Sequence, residues 1–196
     1  MKTNVFYVTE ELLIETLRKY GKGSESKDYE FAISVYAKRV FEKRFKQPFT
    51  ITFETNSKYA SGVKSIPSTP EEVIKVLREL LQENTPIDFG LASGTPGNFE
   101  GHAYGFQVKR FKSKSPKTIM KDLKEFIEAK ANRYRSPDTG LIIVPDLELN
   151  LPNDLSLRQL SKDVNITTGS LKAALILVNK NSEPELIQIW PNYGEY

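Results

Sequence analysis

Three polar side chains in the middle of the chain have the types needed to hydrolyse a phosphodiester bond. They are Asp88, Gln107 and Lys109. A carboxylate and an amide oxygen are hard ligands of the kind that Mg²⁺ or Mn²⁺ accepts, and the main-chain carbonyl of Val108 can add a third. Such a cation neutralises phosphate charge and acidifies a bound water, while a neighbouring ammonium stabilises the negative charge that develops. This combination predicts a metal-assisted hydrolytic site.

Two short strands must position these groups. Residues 86–89 and 106–111 are apolar runs of strand length, and in the second run Gln107 and Lys109 fall on the same face because side chains alternate along a strand. The segment 93–98 is rich in turn-forming residues, which predicts that the runs fold back as an antiparallel pair. That arrangement would bring the carboxylate near the lysine.

Glu30 is a candidate third acid, and it has two interpretations. A helix is expected over residues 28–46, and Glu30 lies on its apolar side, one step of three before Ile33. In one interpretation the acid is half exposed and stabilises the start of the helix through the helix dipole. In the other it points towards the sheet as part of the site.

Composition removes several classes of site. The chain has no cysteine and one histidine, His102, which we expect in a loop. Disulfides, thiolate zinc sites, cysteine nucleophiles and two-histidine metal sites are therefore excluded. The sequence has no apolar stretch of membrane-spanning length and no leader, so we expect a cytoplasmic protein without a membrane partner.

Positive charge is concentrated in one strip. Residues 109–135 contain ten Lys or Arg against three acids, an excess of seven positive charges. Because the net charge of the whole chain is +3, the remaining residues carry a net charge of 3 − 7 = −4. A strip of this kind suits a polyanion, although a solvated helix face is the alternative explanation. The candidate phosphate contacts are Arg110, Lys112, Lys114, Lys117, Lys121 and Lys124. The last three are predicted to share one face of a helix over residues 116–134.

The remaining elements follow from periodicity and capping signals. Helices are also predicted over 9–20 and 69–82, the latter opened by Thr69, Pro70 and the capping-box acid Glu72. Strands are predicted near 49–54 and 141–144. The tail has two interpretations. Residues 157–175 resemble a helix-turn-helix, but a helix over 155–164 followed by a β-hairpin of 174–178 and 186–190 is favoured.

Taken together, Asp88 on one strand and Gln107-Val108-Lys109 on the next resemble the motif of the restriction-endonuclease-like (PD-(D/E)XK) nuclease superfamily. Within it, the motif is closest to that of Mrr-type restriction endonucleases, whose lysine motif begins with glutamine. The predicted elements of residues 28–146 follow the family's α-β-β-β-α-β order, with the helix near Glu72 as an insertion.

The resemblance implies a fold and a set of roles. The fold would be α/β, with a mixed central sheet flanked by helices, and residues 147–196 would add the C-terminal helix and β-hairpin. The length and even composition of the chain predict a single domain over residues 1–196. Asp88 would bind the metal, Lys109 would orient or activate the attacking water, Gln107 would replace the usual acid, and Glu30 would correspond to the family's helix acid. The neutral Gln107 departs from the family pattern and is a weaker ligand than a carboxylate.

We therefore expect a metal-dependent nuclease that uses Mg²⁺ or Mn²⁺ and acts on DNA. Cutting both strands of a duplex would favour a homodimer. One alternative is an inactive subunit that keeps the fold for nucleic-acid binding or assembly. The other is a helix-turn-helix DNA-binding protein that uses residues 167–175.

Overall fold

The computed structural model describes residues 4–20, 26–55, 67–80, 87–95, 98–113, 115–133, 138–146, 154–167, 169–180 and 183–195. Within these residues the helices are α1 (Glu10–Tyr20), α2 (Ser26–Phe45), α3 (Pro70–Leu80), α4 (Ile119–Ala131) and α5 (Asp154–Asp163). The strands are β1 (Asn4–Val8), β2 (Phe49–Thr55), β3 (Phe89–Thr95), β4 (Asn98–Phe111), β5 (Thr139–Pro145), β6 (Ala173–Lys180), β7 (Glu183–Trp190) and β8 (Gly194–Glu195). The chain divides into two compact units, residues 1–105 and 106–196, and the boundary falls inside β4.

In the first unit the strands are ordered β1, β2, β3 and the start of β4. The pairs β1/β2 and β2/β3 are antiparallel, so that Thr52 of β2 lies opposite Tyr7 on one side and Gly90 on the other. Helix α2 packs on this sheet through aromatic rings, because the Phe31 ring meets Phe53 edge-on with 5.2 Å between ring centroids. These rings anchor the helix that carries Glu30.

An ion-pair network holds α1 against α2. The Glu10 carboxylate, 14% exposed, accepts hydrogen bonds from Lys38 Nζ (2.9 Å) and Arg39 Nε (2.7 Å). Burial by itself would raise the pKa of Glu10, but the hydrogen bonds and charges of the two cations outweigh it and lower the pKa. The ionised form of Glu10 is thus favoured in the folded protein.

In the second unit the order is β4, β5, β6, β7 and β8. Strands β5 and β6 are parallel and are connected through α5, whereas β6/β7 and β7/β8 are antiparallel. Every residue of β5 is buried, as expected for an apolar strand covered on both faces. One core cluster joins α4 and α5 to this sheet, and its largest members include Phe111, Leu123, Ile127, Leu141, Ile143, Leu157, Leu160, Ile176 and Ile189.

The structure confirms an α/β fold and most of the predicted elements. Strands β1 and β8 were not predicted. The N-terminal signal of α3 is confirmed, because the Glu72 amide donates to Thr69 Oγ1 (3.3 Å) and the Ser68 amide donates to Glu72 Oε2 (2.7 Å). The family-specific core and the single domain stay predictions. In the described part of the chain, no helix combines the length and apolar character needed to cross a membrane.

The helix-turn-helix interpretation of residues 167–175 is wrong. Residues from Ala173 onward form β6, which pairs with both β5 and β7 and is therefore not available as a recognition helix. The segment before it is fixed to α4, because the Asn165 amide donates to Glu128 Oε1 (2.6 Å) and the Thr167 amide donates to Asn132 Oδ1 (2.8 Å). The favoured helix and hairpin, α5 followed by β6 and β7, are confirmed.

Gly90 occupies a place in β3 that has no room for a side chain. A Cβ atom there would overlap the hydroxyl oxygen of Thr52 and lie 3.3 Å from the main-chain oxygen of Tyr104. Both neighbours sit on strands next to β3, so relief would require a new rotamer of the β-branched Thr52 together with a small shift of the main chain at Tyr104.

We expect Gly90→Ala to lower the free energy of unfolding by about 1–3 kcal/mol, the usual cost of overpacking. Urea denaturation measures this. The matched control is Gly194→Ala, because nothing lies within 4 Å of a Cβ at Gly194. If the two variants lose equal free energy of unfolding, the close approach of the neighbouring atoms at Gly90 does not determine the cost of the substitution.

We expect Glu10→Gln to destabilise the protein by about 1 kcal/mol at neutral pH, since it weakens two charge-assisted hydrogen bonds. The folded-state pKa of Glu10 is lowered, so its contribution is present above the unfolded value of 4.5 and is lost as pH falls through the folded pKa. Denaturation midpoints of the two proteins should therefore converge in acid. Glu11→Gln, at an exposed acid in the same first turn of α1, is the control. A difference between wild type and Glu10→Gln that stays constant from pH 7 to pH 3 would contradict the assignment.

Candidate functional site

The second half of β4 carries the central candidates. Gln107 is buried, with 5% of its surface exposed, Val108 is buried, and Lys109 is half-buried. Further along, the Phe111 ring packs edge-on against Phe126 of α4, with 5.4 Å between centroids. Because side chains alternate, Gln107 and Lys109 share the face of β4 on which Phe111 meets α4.

A buried amide at Gln107 is chemically informative. Burying an amide costs free energy unless its oxygen and NH₂ group find partners, so such a side chain is held in a definite orientation. An apolar residue would fill the same position in a sheet without this cost. The amide oxygen of Gln107 is therefore held in a definite orientation, as a metal ligand would be. The ammonium group of Lys109 lies two residues further along, on the same face of β4.

Asp88 lies in a half-buried bend directly before β3, which begins at Phe89. The prediction that it is part of the strand is thus wrong by one residue, because strand pairing at this end starts after it. The preceding residue, Ile87, lies against β4: its Cγ2 atom is 3.0 Å from the position of a Cβ on Gly105. Asp88 belongs to the first unit, whereas Gln107, Val108 and Lys109 belong to the second.

Glu30 is buried in the second turn of α2, with 8% of its surface exposed. The half-exposed arrangement at the helix start is therefore wrong. Among the side chains that the structure describes, it is the one acid that is buried to this degree. Its helix packs against β2, where the next residue, Phe31, contacts Phe53, and also against β3. Glu30 is thus directed away from solvent in the first unit.

The basic strip is partly neutralised by acids within it and by Asp146. Arg110 and Lys112, both exposed, lie 3.8 Å and 3.5 Å from the oxygens of Asp146. On α4, Lys121 pairs with Glu125 at 3.8 Å, and Lys124 pairs with Glu128 at 2.7 Å. These pairs hold some of the lysines on the protein surface and reduce the positive field that a polyanion would meet.

One lysine of the predicted helical face lies outside the helix. Lys117 is exposed but precedes α4, because the helix begins at Ile119 and residues 116–118 form a turn. Its prediction as the first member of a helical lysine face is therefore wrong. Lys114 lies outside the described residues. His102 belongs to β4 rather than to the predicted loop.

Glu128 has a lowered pKa. Burial by itself would raise the pKa of this carboxyl group, but the hydrogen bonds from Lys124 and from the main-chain amide of Asn165 lower it by more. The carboxylate therefore has a structural function: it joins α4 to the segment that leads to β6.

The donor types fit a hard cation only in part. Asp88, the Gln107 amide and the Val108 carbonyl offer oxygen atoms, which Mg²⁺ prefers, and they carry a single negative charge. Over the described ranges, no three Asp, Glu, His or Cys side chains come together as a metal-binding group.

Asp146 is a residue of this region that sequence reasoning missed as a charged partner. It follows β5 directly, and its amide donates to the main-chain oxygen of Phe111 at 3.0 Å. Its carboxylate therefore lies next to the end of β4, between two cations. An acid immediately after a fully apolar strand was the signal that could have identified it.

Compared with protein-family models, with curated proteins and with solved structures, the chain shows no significant match.

We expect Asp146→Asn to strengthen polyanion binding, because it removes the charge that Arg110 and Lys112 share. The salt concentration that elutes the protein from a heparin column should rise, by roughly the amount expected for one additional contact between a cation of the protein and an anion of heparin. Asp163→Asn, the same charge change on α5, is the control. Equal shifts in the two variants would mean that net charge alone is responsible.

Proposed function

We propose that this protein is a metal-dependent nuclease that hydrolyses phosphodiester bonds, with DNA as its substrate. The observation that carries the proposal is one face of β4, where the side chain of Gln107 is buried and that of Lys109, two residues further along, is half-buried. Lysine there would place positive charge where a phosphate develops negative charge during hydrolysis.

The element order supports the same proposal. Helix α2, strands β2, β3 and β4, helix α4 and strand β5 follow one another as the α-β-β-β-α-β order requires, with α3 inserted after β2. Asp88 precedes β3 and Gln107 lies on β4, which are the strands that carry the metal and lysine motifs in the family that the sequence resembles. The buried acid Glu30 lies on α2, the helix that carries the family's further acid.

Each residue has a defined chemical task in this proposal. Asp88, the Gln107 amide oxygen and the Val108 carbonyl would hold Mg²⁺ or Mn²⁺, which supplies Lewis-acid activation of water and phosphate when bound. Lys109 would orient the attacking water. Exposed Arg110 and Lys112 would contact phosphates of the backbone without reading sequence.

Cleavage assays test this assignment. The purified chain is incubated with supercoiled plasmid and with linear duplex, branched and single-stranded DNA, plus RNA, in Mg²⁺ or Mn²⁺ with a chelator control. We expect metal-dependent cutting that falls by about a hundredfold or more in Lys109→Ala and in Asp88→Asn. Lys162→Ala, an exposed lysine on α5, is the matched control and should cut normally.

Gln107→Glu provides a test of the metal ligand. A second carboxylate should bind the cation more tightly, so half-maximal cutting should require less Mg²⁺. Absence of cutting on every substrate, or equal cutting in the Lys109, Asp88 and Lys162 variants, would overturn the proposal.

The second candidate is an inactive subunit with the same fold that binds nucleic acid. The neutral Gln107 favours it, as does the lack of a three-acid metal group within the described residues. Salt-sensitive DNA binding without cutting, insensitive to Mg²⁺, would support this candidate instead.

A further inference from the structure

Helix α2 ends in an aromatic and basic surface that the proposed cleavage does not use. We define the α2-end patch as Lys43, Arg44, Phe45, Lys46 and Tyr104. The three cations are exposed, and Phe45 is exposed over 38% of its surface although it is a large apolar residue. All five residues belong to the first unit, so the patch is a property of that unit alone.

The Phe45 ring is supported from beneath. Its centroid lies 5.5 Å from that of the buried Phe41 and 5.9 Å from that of the buried Phe49. Tyr104 lies 6.3 Å away with its ring nearly parallel, at 21°. Phe45 is therefore one exposed member of a four-ring cluster, packed in place rather than a free side chain.

Positive charge surrounds the exposed part of this ring. The Arg44 guanidinium lies 5.8 Å from the Phe45 centroid, within the range of a cation–π contact. Lys46 has a φ of 57°, a left-handed conformation that glycine adopts at less cost, and this residue keeps a cation at the end of the helix.

The acid nearest in sequence is turned to other partners. Glu42 accepts hydrogen bonds from the Phe49 amide (3.0 Å) and from Lys38 Nζ (2.9 Å). Its charge is thus used between α2 and β2, and the surface presented by the next four residues contains three cations and one ring.

We propose that the α2-end patch binds single-stranded nucleic acid by stacking an unpaired base on Phe45 while its cations contact the neighbouring phosphates. A base could stack on the exposed part of the rigid Phe45 ring when the Arg44 guanidinium, which lies over that ring in the free protein, turns to a phosphate. Every base has a π-face for this contact, and the basic side chains match the backbone. Bases in a duplex are already stacked and cannot use the ring. This binding is separate from cleavage and requires neither a metal nor Lys109.

Fluorescence anisotropy in the presence of EDTA tests the proposal with three labelled probes. They are a single strand of about ten nucleotides, a duplex of the same sequence, and a base-free strand with the same number of phosphates. The wild-type protein should prefer the single strand. Phe45→Leu, which keeps apolar packing but removes the ring, should weaken single-strand binding about tenfold and leave the base-free strand unchanged. Phe45→Trp should restore it.

Controls separate stacking from charge and from folding. Tyr36 is exposed to a similar degree, 37%, on the same helix, so Tyr36→Leu is the matched variant and should bind normally. Lys46→Glu should weaken binding of both the single strand and the base-free strand. Thermal denaturation checks that each variant is folded. Cleavage activity in the Phe45 variants is measured separately, so this proposal and the nuclease proposal can fail independently.

Equal effects of Phe45→Leu and Tyr36→Leu would overturn the assignment of the ring. Equal binding of the normal and base-free strands would do the same. A protein that binds no strand but self-associates through Phe45, detected by sedimentation, would identify the patch as a protein contact and reject nucleic acid as its ligand.

Discussion

Burial of the strands on both faces is the constraint on which the rest of this structure depends. Residues 89–94 of β3 and the whole of β5 are buried. In such a sheet the peptide groups satisfy one another, so only the side chains must be accommodated, and apolar residues do so at least cost. The close approach at Gly90, where β2 and β4 leave no room for a side chain, is one consequence.

The same constraint makes the buried polar residues meaningful. Glu30 on α2 and Gln107 on β4 occupy positions that an aliphatic residue would fill with less loss of solvation. The acid lies in the first unit and the amide in the second, and each keeps polarity at a position where burial makes it costly. The nuclease proposal therefore depends on the burial of the polar side chains of Glu30 and Gln107, and not on the short sequence motif alone.

Charge has two different functions in this protein. Some charged groups connect elements of the fold. Hydrogen bonds of Glu10, Lys38 and Glu42 join α1, α2 and the start of β2. The cations beyond Glu42 are exposed instead, around a ring that the core holds in place. The basic strip on α4 is intermediate, since Lys121 and Lys124 each have an acid one turn further along the helix. Counting lysines in the sequence could not distinguish these situations.

Local signals in the sequence determined the α/β class and most of the elements. The cap at Thr69 and Glu72, the apolar run that became β5 and the C-terminal hairpin all depend on residues close together in the chain, which is why periodicity and capping rules found them. Only the tertiary structure decided that residues 4–8 form a strand, because β1 is defined by its pairing with β2 some fifty residues later. It likewise decided the burial of Glu30, the pairing of Arg110 and Lys112 with Asp146, and the approach of the Tyr104 ring to Phe45. Each of these depends on contacts between residues distant in sequence, which composition and spacing do not encode.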